Sequence, residues 1–471
     1  MADNLYKAER DRPRVVVLGA GFGGLTFAQH FDDSQAELVV VDRQNHHLFQ
    51  PLLYQVATAG LSAPEIAKPI RQILRHKDNT TVLMDEVVDL DLNRREVQMR
   101  DHQQPLAYDY LVLAVGARTN YFGNDQWEQF APGLKSLDDA TRLRHNLLLA
   151  FEEAENTDDP EERERLMTFV VIGAGPTGVE MAGAISELAR HVLDRDFSHV
   201  NPAAAKVILV EGADRVLPPF DPKLSDSARR QLEGMGVEII TGELANDIRK
   251  GEVVLPSRTI KAENIIWTAG VRSSPLLDQL PVEKDRAGRI MVKPDCSLPG
   301  FDHVFAVGDI INLKDPKGQQ VPGIAPGAMQ TGEYTAKLIN DEIKAHAKQE
   351  KLPERKPFTY WDKGNMATIG KKRAVAQVGK FQFSGFFAWI GWLFIHLMFL
   401  IGFRNKIAVL LQWAYAYIRD KRGARVITNM DASYLLKNQK ANPVHRALMR
   451  RGRPHATPAG ATAHEKEPSK T

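Results

Sequence analysis

Cysteine is nearly absent from this sequence: among 471 residues, Cys296 stands alone. One thiol cannot close an internal disulfide, ligate an iron–sulfur cluster or complete a multi-cysteine zinc site. Enzymes that work through a redox-active cysteine pair are therefore excluded, and Cys296 reads as a small hydrophobe near a strand end. Charge bias is missing as well. Lys and Arg number 61 against 59 Asp and Glu, a formal net charge of +2, so bulk electrostatics gives no reason to expect a nucleic-acid partner. No metal is called for. Met1–Pro13 is polar and lacks the apolar core of a signal peptide, so secretion is not expected. The remainder, 43% hydrophobic and 25% charged, is an ordinary globular composition on a chain long enough for two or three domains.

Glycine is where the information lies. RVVVLGAGFGG at 14–24 and FVVIGAGPTG at 169–178 each place G-x-G-x-x-G between an apolar strand and a helix. The first glycine (Gly19, Gly173) makes the tight turn, the second (Gly21, Gly175) lets backbone approach a pyrophosphate, and the third (Gly24, Gly178) lets helix press on strand. One such motif is a weak signal. Two in one chain imply two dinucleotides, and their pairing points to electrons passing from one to the other. Strands are expected at 14–19 and 37–41 with a helix from Gly24 to about Phe31, ending in Asp42, 18 residues past Gly24. An acid at that distance hydrogen-bonds an adenosine ribose. In the second unit the strand 206–210 ends in Glu211, 33 residues past Gly178. That longer gap is expected to hold an insertion at 189–205 that lengthens the helix. Residues 136–167 read as a charged helical connector. The strand 304–307 before Gly308 and Asp309 implies that the first domain is interrupted by the second and completed afterwards.

These residues, together with HLFQPLLY (47–54), YDYLVLAVG (108–116), AGPTGVE (174–180) and LIGFRN (400–405), resemble the two-dinucleotide-binding flavoproteins, and within them the type II NADH dehydrogenases, over about residues 12–430. The resemblance implies an α/β fold: two Rossmann-like domains, the second inserted in the first, and a C-terminal amphipathic membrane-anchoring region. The expected boundaries are 12–135 with 296–375 for FAD, 136–295 for NADH, 376–453 for membrane attachment and 454–471 for a disordered tail. It implies FAD on Gly19, Gly21, Phe22, Gly23, Gly24, Asp42, Arg43, Val87, Gly116, Asp309 and Ala325, and NADH on Gly173, Gly175, Gly178 and Glu211. A Glu211 carboxylate repels a 2′-phosphate, favouring NADH over NADPH, although Arg215 lies close enough to weaken the discrimination. Glu180, two residues past Gly178, is expected on the first turn of the helix, near nicotinamide and flavin, orienting the ring or relaying a proton; an acid on that turn is also stabilised by the helix dipole. APGAMQ (325–330) resembles the family's quinone motif Ala-Gln-x-Ala-x-Gln, with Pro326 in place of the first Gln and Gln330 retained, so the resemblance implies that Gln330 and backbone groups recognise the quinone.

The implied activity is hydride transfer from NADH to flavin, then two electrons to ubiquinone or menaquinone without proton pumping. Residues 386–403 are apolar but for His396: 18 positions, roughly 27 Å as a helix and just short of a bilayer core. A further apolar stretch, 407–418, follows, and 404–453 carry 12 Lys and Arg against 2 Asp and Glu, a composition suited to anionic headgroups. In-plane attachment, one true span and a buried oligomer interface such as a homodimer are all consistent with this pattern; the resemblance favours the first, on the cytoplasmic face of a bacterial inner membrane. An NADH-sensing flavoprotein and a soluble reductase of an electron-carrier protein are the alternatives.

Overall fold

The computed structural model describes residues 10–419 and 422–427. β1 (Arg14–Leu18) is buried at all five positions, as suits an aliphatic strand covered on both faces. α1 (Phe22–His30) starts two residues before Gly24, because Gly21 is extended and serves as its N-cap. β2 (Glu37–Asp42), α2 (Leu53–Ala57), α3 (Ala63–Ile66), β3 (Thr80–Met84) and β4 (Tyr110–Leu113) follow. The connector forms α4 (Leu137–Glu155), begun by a reciprocal capping box between Ser136 and Asp139. The second unit comprises β5 (Thr168–Ile172), α5 (Pro176–Glu187), β6 (Lys206–Glu211), α6 (Pro222–Glu233), β7 (Val237–Thr241) and β8 (Asn264–Trp267). Then come β9 (Ser297–Leu298), β10 (Phe301–Ala306), α7 (Ala325–Ala347), the antiparallel β11 (Asn365–Gly370), β12 (Arg373–Val378) and β13 (Phe381–Ser384), α8 (Phe386–Phe399) and α9 (Phe403–Arg419).

The first sheet runs β9-β10-β4-β1-β2-β3, parallel except at β9, and the second runs β7-β6-β5-β8, wholly parallel. In each, the strand leading into the glycine turn lies between its successor and a later strand, so the turn opens at the point where strand order reverses. β10 pairs with β4, Val304 opposite Leu111, so the first sheet is finished only after the second has been formed. Alternate residues of β1 serve two cores: Val16 and Leu18 pack with Leu111 and Val304, while Val15 and Val17 pack with Phe27 of α1 and Ile339 of α7. Cys296 is buried in the turn before β9.

Two expectations are corrected. The 189–205 insertion does not simply lengthen the helix. α5 ends at Glu187, one π turn (Leu188–Val192) prolongs it, and the rest is a loop whose Ser198, His199 and Val200 N–H groups donate to the Glu155 carboxylate. Residues 386–403 are not one helix. α8 stops at Phe399 with Leu400 extended, and Gly402 turns the chain with φ +94°, a conformation that glycine adopts without steric cost. No helix among the described residues is long and apolar enough to cross a membrane. The readings for 428–453 and for the tail 454–471 lie outside the described residues.

A Cβ on Gly24 would sit 1.8 Å from the Gly19 carbonyl oxygen and 3.0 Å from the Ala114 Cβ. Gly24→Ala is expected to cost about 1–3 kcal/mol or more, read as a lowered midpoint in chemical denaturation; an unchanged midpoint would show that strand and helix are not held this closely.

Candidate functional site

Each glycine turn is locked by the carboxylate at the tip of the following strand. The Ala20 N–H donates to Asp42 Oδ2 at 2.6 Å and the Gln44 N–H to Oδ1 at 2.7 Å. In the second unit the Ala174 N–H donates to Glu211 Oε2 at 2.6 Å and the Ala213 N–H to Oε1 at 2.8 Å. Burial pushes the Asp42 carboxyl above its ordinary range, against the two N–H donors that favour the ion. A carboxylate has about four acceptor positions, so each acid locks its turn and retains acceptors for ribose hydroxyls. Arg215, the neighbour expected to weaken discrimination, donates to the Pro218 carbonyl at 3.1 Å.

The glycines divide by what surrounds them. Gly24 and Gly178 are forced by backbone contact, each Cβ position lying 1.8 Å from the carbonyl oxygen of Gly19 or Gly173. Gly23 is a packing glycine, buried against Val307 and Ala328. Gly21 and Gly175 differ, for a Cβ on either meets nothing within 4 Å. Both cap helices without any side-chain cap, leaving the first N–H groups of α1 and α5 without intrahelical acceptors. An open space over a helix N-terminus suits a pyrophosphate, so the residues present fit FAD at the first turn and NADH at the second.

A cavity of about 380 Å³ beside the first turn is lined by Gly19, Asp42, Arg43, Val87 and Leu276, joining three predicted residues at the adenosine end. Gly116, with φ +65°, has open space at its Cβ position. Asp309 lies in the turn Gly308–Ile310 after β10. Burial raises its carboxyl, opposed by the charge of Lys135, and burial lowers the Lys135 ammonium. Sequence reasoning missed Lys135, one cation just before the charged connector with no motif to mark it. Ala325 is the first residue of α7, which lies so close to α1 that a Cβ on Gly332 would stand 2.3 Å from the Gly23 oxygen.

Glu180 stands one turn into α5 rather than on its first turn, in a small cavity with Tyr54, Gln55, Thr58, Thr368 and Trp413. Burial raises its carboxyl well above the ordinary range, against a single backbone donor, Thr368. The Tyr54 hydroxyl is raised too, by burial first and then by Glu180. Gln55 Nε2 donates to the Tyr54 hydroxyl at 2.8 Å, and Trp413 Nε1 donates to Gln55 Oε1 at 2.7 Å. The C-terminal helix α9 is thereby wired to the wall of the Glu180 cavity. LIGFRN serves the same docking, as Asn405 Nδ2 donates to the Pro64 and Ala67 carbonyls. Gln330 does not line the Glu180 cavity. Its amide is oriented by one residue: Nε2 donates to the Trp361 carbonyl at 3.0 Å and Oε1 accepts from the Trp361 N–H at 2.9 Å, which leaves the second N–H of Nε2.

This architecture, two dinucleotide turns on two parallel sheets, defines a class. Residues 13–332 match the family model of the pyridine nucleotide-disulphide oxidoreductases, and residues 362–420 match the NDH2 C-terminal domain. A type II NADH:quinone oxidoreductase of Mycobacterium tuberculosis is 46% identical over 432 residues, covering 89% of this chain and 91% of that protein. A second from the same organism is 43% identical, covering 89% and 90%. In fold, the chain is similar to the structure of NDH2 from Plasmodium falciparum in complex with NADH: TM-score 0.79, 19% identity, 87% of this chain and 99% of that one. The chain belongs to the type II NADH:quinone oxidoreductase family.

Two expectations follow from the geometry. Gly21→Ala should leave apoprotein stability nearly unchanged while abolishing FAD retention, measured by absorbance after gel filtration; a clash with protein would instead lower apoprotein stability. For Glu180, the unfolded side chain titrates near 4.5 and the folded one well above that. The stability it contributes is therefore full below pH 4.5 and is lost as pH rises towards the folded value. Glu180→Gln mimics the protonated form, so its advantage in Tm over the parent should be absent in acid and grow towards alkaline pH. Parallel Tm–pH curves would refute the buried acid.

Proposed function

We infer that this chain is an NADH:quinone oxidoreductase carrying FAD, which passes electrons from NADH to a membrane quinone and pumps no protons. The observation that carries the reading is the pair of open glycine cradles, each locked by its own strand-end carboxylate. Bound FAD would supply the two-electron acceptor between NADH and the quinone. The protein's part is position and electrostatics. Gly19, Gly21, Phe22 and Gly24 hold the FAD pyrophosphate at the start of α1, with Asp42, Arg43 and Val87 at its adenosine end and Gly116, Asp309 and Ala325 along the rest. Gly173, Gly175, Gly178 and Glu211 hold NADH.

Glu180 holds a proton on its carboxyl beside Tyr54, where an acceptor that must be protonated can take it. Gln330 works one step removed, fixing the Trp361 backbone. The proposed division is 12–135 with 296–375 for FAD, 136–295 for NADH and 376–453 for membrane attachment.

The attachment proposed is in-plane and peripheral, on the cytoplasmic face of a bacterial inner membrane. Phe386, Ile390, Phe394 and Met398 form one exposed stripe at helical spacing on α8, and Phe403, Ile407, Leu411, Tyr415 and Ile418 form another on α9. Contiguous exposed apolar stripes of this kind mark an interaction face, and these suit a leaflet better than a soluble reductase. A homodimer is the other covering such stripes allow; detergent-solubilised mass distinguishes the two.

Rapid mixing tests the activity: NADH should bleach the flavin and a short-chain quinone should restore it quickly. Slow recolouring with every quinone would support the sensor instead. Glu180→Gln should slow turnover with FAD still bound. Glu211→Ser should raise the NADPH-to-NADH ratio of kcat/KM about ten-fold or more, and an unchanged ratio would remove Glu211 from that role. High salt should release little protein from membranes and detergent should release it; full release by salt would sink the apolar anchor.

A further inference from the structure

A second cavity adjoins the Glu180 pocket, sharing Glu187, Lys371, Ala416, Tyr417 and Arg422 with it, and is lined by no residue of either glycine turn. It measures about 500 Å³ and lies at the far end of α5 from Gly175. Its lining includes Arg190, His191, Lys371, Arg373 and Arg422, and among the described residues Glu187 is its one carboxylate. These cations come from three separate places in the chain: the π turn after α5, the β11–β12 turn with the first residue of β12, and the segment after α9. Local sequence therefore does not account for their meeting.

Their guanidinium groups are fixed in place. Arg190 donates to Ser186 Oγ at 2.9 Å and to the Ala205 and Gly236 carbonyls at 3.2 and 3.1 Å. Arg373 donates to the Gln231 carbonyl at 2.9 Å. Arg422 pairs with Glu187 at 3.1 Å and also donates to the Thr58 carbonyl at 2.7 Å. Each arginine has five N–H donors, and none of these bonds involving Arg190 or Arg373 removes charge. Helix carbonyls at the end of α5 attract Arg190 and His191, but they do not account for Arg373, which is tied to the end of α6. The wall completed by Ala416 and Tyr417 belongs to α9, whose exposed stripe is proposed above to enter the leaflet.

We propose that this cavity binds a phosphate group, as a phospholipid headgroup or as a soluble phosphate ester. Only the lipid source rests on the membrane reading. A fixed cationic cleft of this size offers a phosphate several charge-assisted hydrogen bonds at once, and a site beside the last turn of α9 would seat an anionic headgroup at the edge of the leaflet that the helix occupies.

The test uses full-length holoprotein, K371Q/R373Q and R190Q/R373Q variants, and a K348Q/K351Q control that removes equal charge near the end of α7. Co-flotation is measured with neutral phosphatidylcholine vesicles and with vesicles containing one third phosphatidylglycerol. The melting temperature is followed with inorganic phosphate and with glycerophosphoglycerol, the headgroup without its tails. For a lipid source, the parent should favour the anionic vesicles, and each cavity variant should lose about five-fold per cation removed while binding neutral vesicles as before and the control changes little. For a soluble source, phosphate or the free headgroup should raise the parent's Tm but not the variants', without a vesicle preference. The proposal is overturned if cavity and control variants lose anionic preference equally, or if neither assay separates the cavity variants from the parent. Loss of binding to neutral vesicles by the parent would instead strike the apolar-anchor reading. K371Q/R373Q keeps the test decisive should Arg190 prove necessary for folding.

Discussion

A carboxylate that reaches back from the tip of one strand to the turn leaving its neighbour governs the geometry of both halves. Asp42 takes the Ala20 N–H and Glu211 takes the Ala174 N–H, each at 2.6 Å. These are the N–H groups between the first and second glycines, so the bond fixes the loop whose open side must face a pyrophosphate. Placing an ionised acid in this partly buried position costs free energy, which the raised Asp42 carboxyl reflects. The cost is offset by two backbone donors per carboxylate. The interaction thus joins two demands in one group, closing the turn and spacing two parallel strands, and on the proposed reading a third, presenting acceptors to a ribose. Removing either acid would loosen the cradle as well as any ribose contact of the proposed kind, so a measured effect on affinity would combine both.

The C-terminal region answers a different physical problem. Its helices present aromatic and aliphatic side chains on both sides, one set buried in the body and the other exposed. Trp392 is buried and stacked on His396 at 4.1 Å between ring centroids, and burial holds that imidazole neutral, with its pKa lowered to about 4. A neutral histidine is the form an apolar helix tolerates, which explains how the one polar residue of 386–403 sits there without a counter-charge. Trp413 then ties α9 through Gln55 to Tyr54, beside Glu180. The C-terminal helices and the Glu180 cavity consequently share walls, and a change in how α9 is seated would reach Tyr54, in the same cavity as Glu180, through two hydrogen bonds.

How much of this was legible depends on whether the signal was local. The glycine turns, Asp42 and Glu211 could be read because a strand, a turn and an acid at set spacing lie within one β-α-β unit. The return of β10 to β4 was legible from an apolar strand ending in Gly308 and Asp309. What escaped were partnerships formed across long separations by residues with no motif: Lys135 near Asp309, Trp413 on Gln55, and Trp361 on Gln330. The break at 400–402 was missed for a related reason. Hydropathy registers apolar length but is blind to a left-handed glycine, and Gly402 converts one apolar run into two helices. The 189–205 segment shows the limit again, since a count of residues between motifs does not say whether the excess is helix or loop.

Pro326 is the sharpest departure from the family's quinone motif, and the structure gives it a place. It is the second residue of α7, where a missing N–H costs little because no intrahelical acceptor exists for it, and where its fixed φ favours helix initiation. The substitution keeps the helix start and removes a side-chain donor. Gln330 lies four residues further on, its amide oriented by Trp361 with one N–H left to donate. Ile324 caps α7 without a side-chain bond, so the free donors near Ala325 are backbone N–H groups at the positive end of a 23-residue helix. On the proposed reading, quinone oxygens at this point would be recognised by main chain and helix dipole. Such recognition responds to the oxygen's developing negative charge more than to the ring substituents that distinguish one quinone from another.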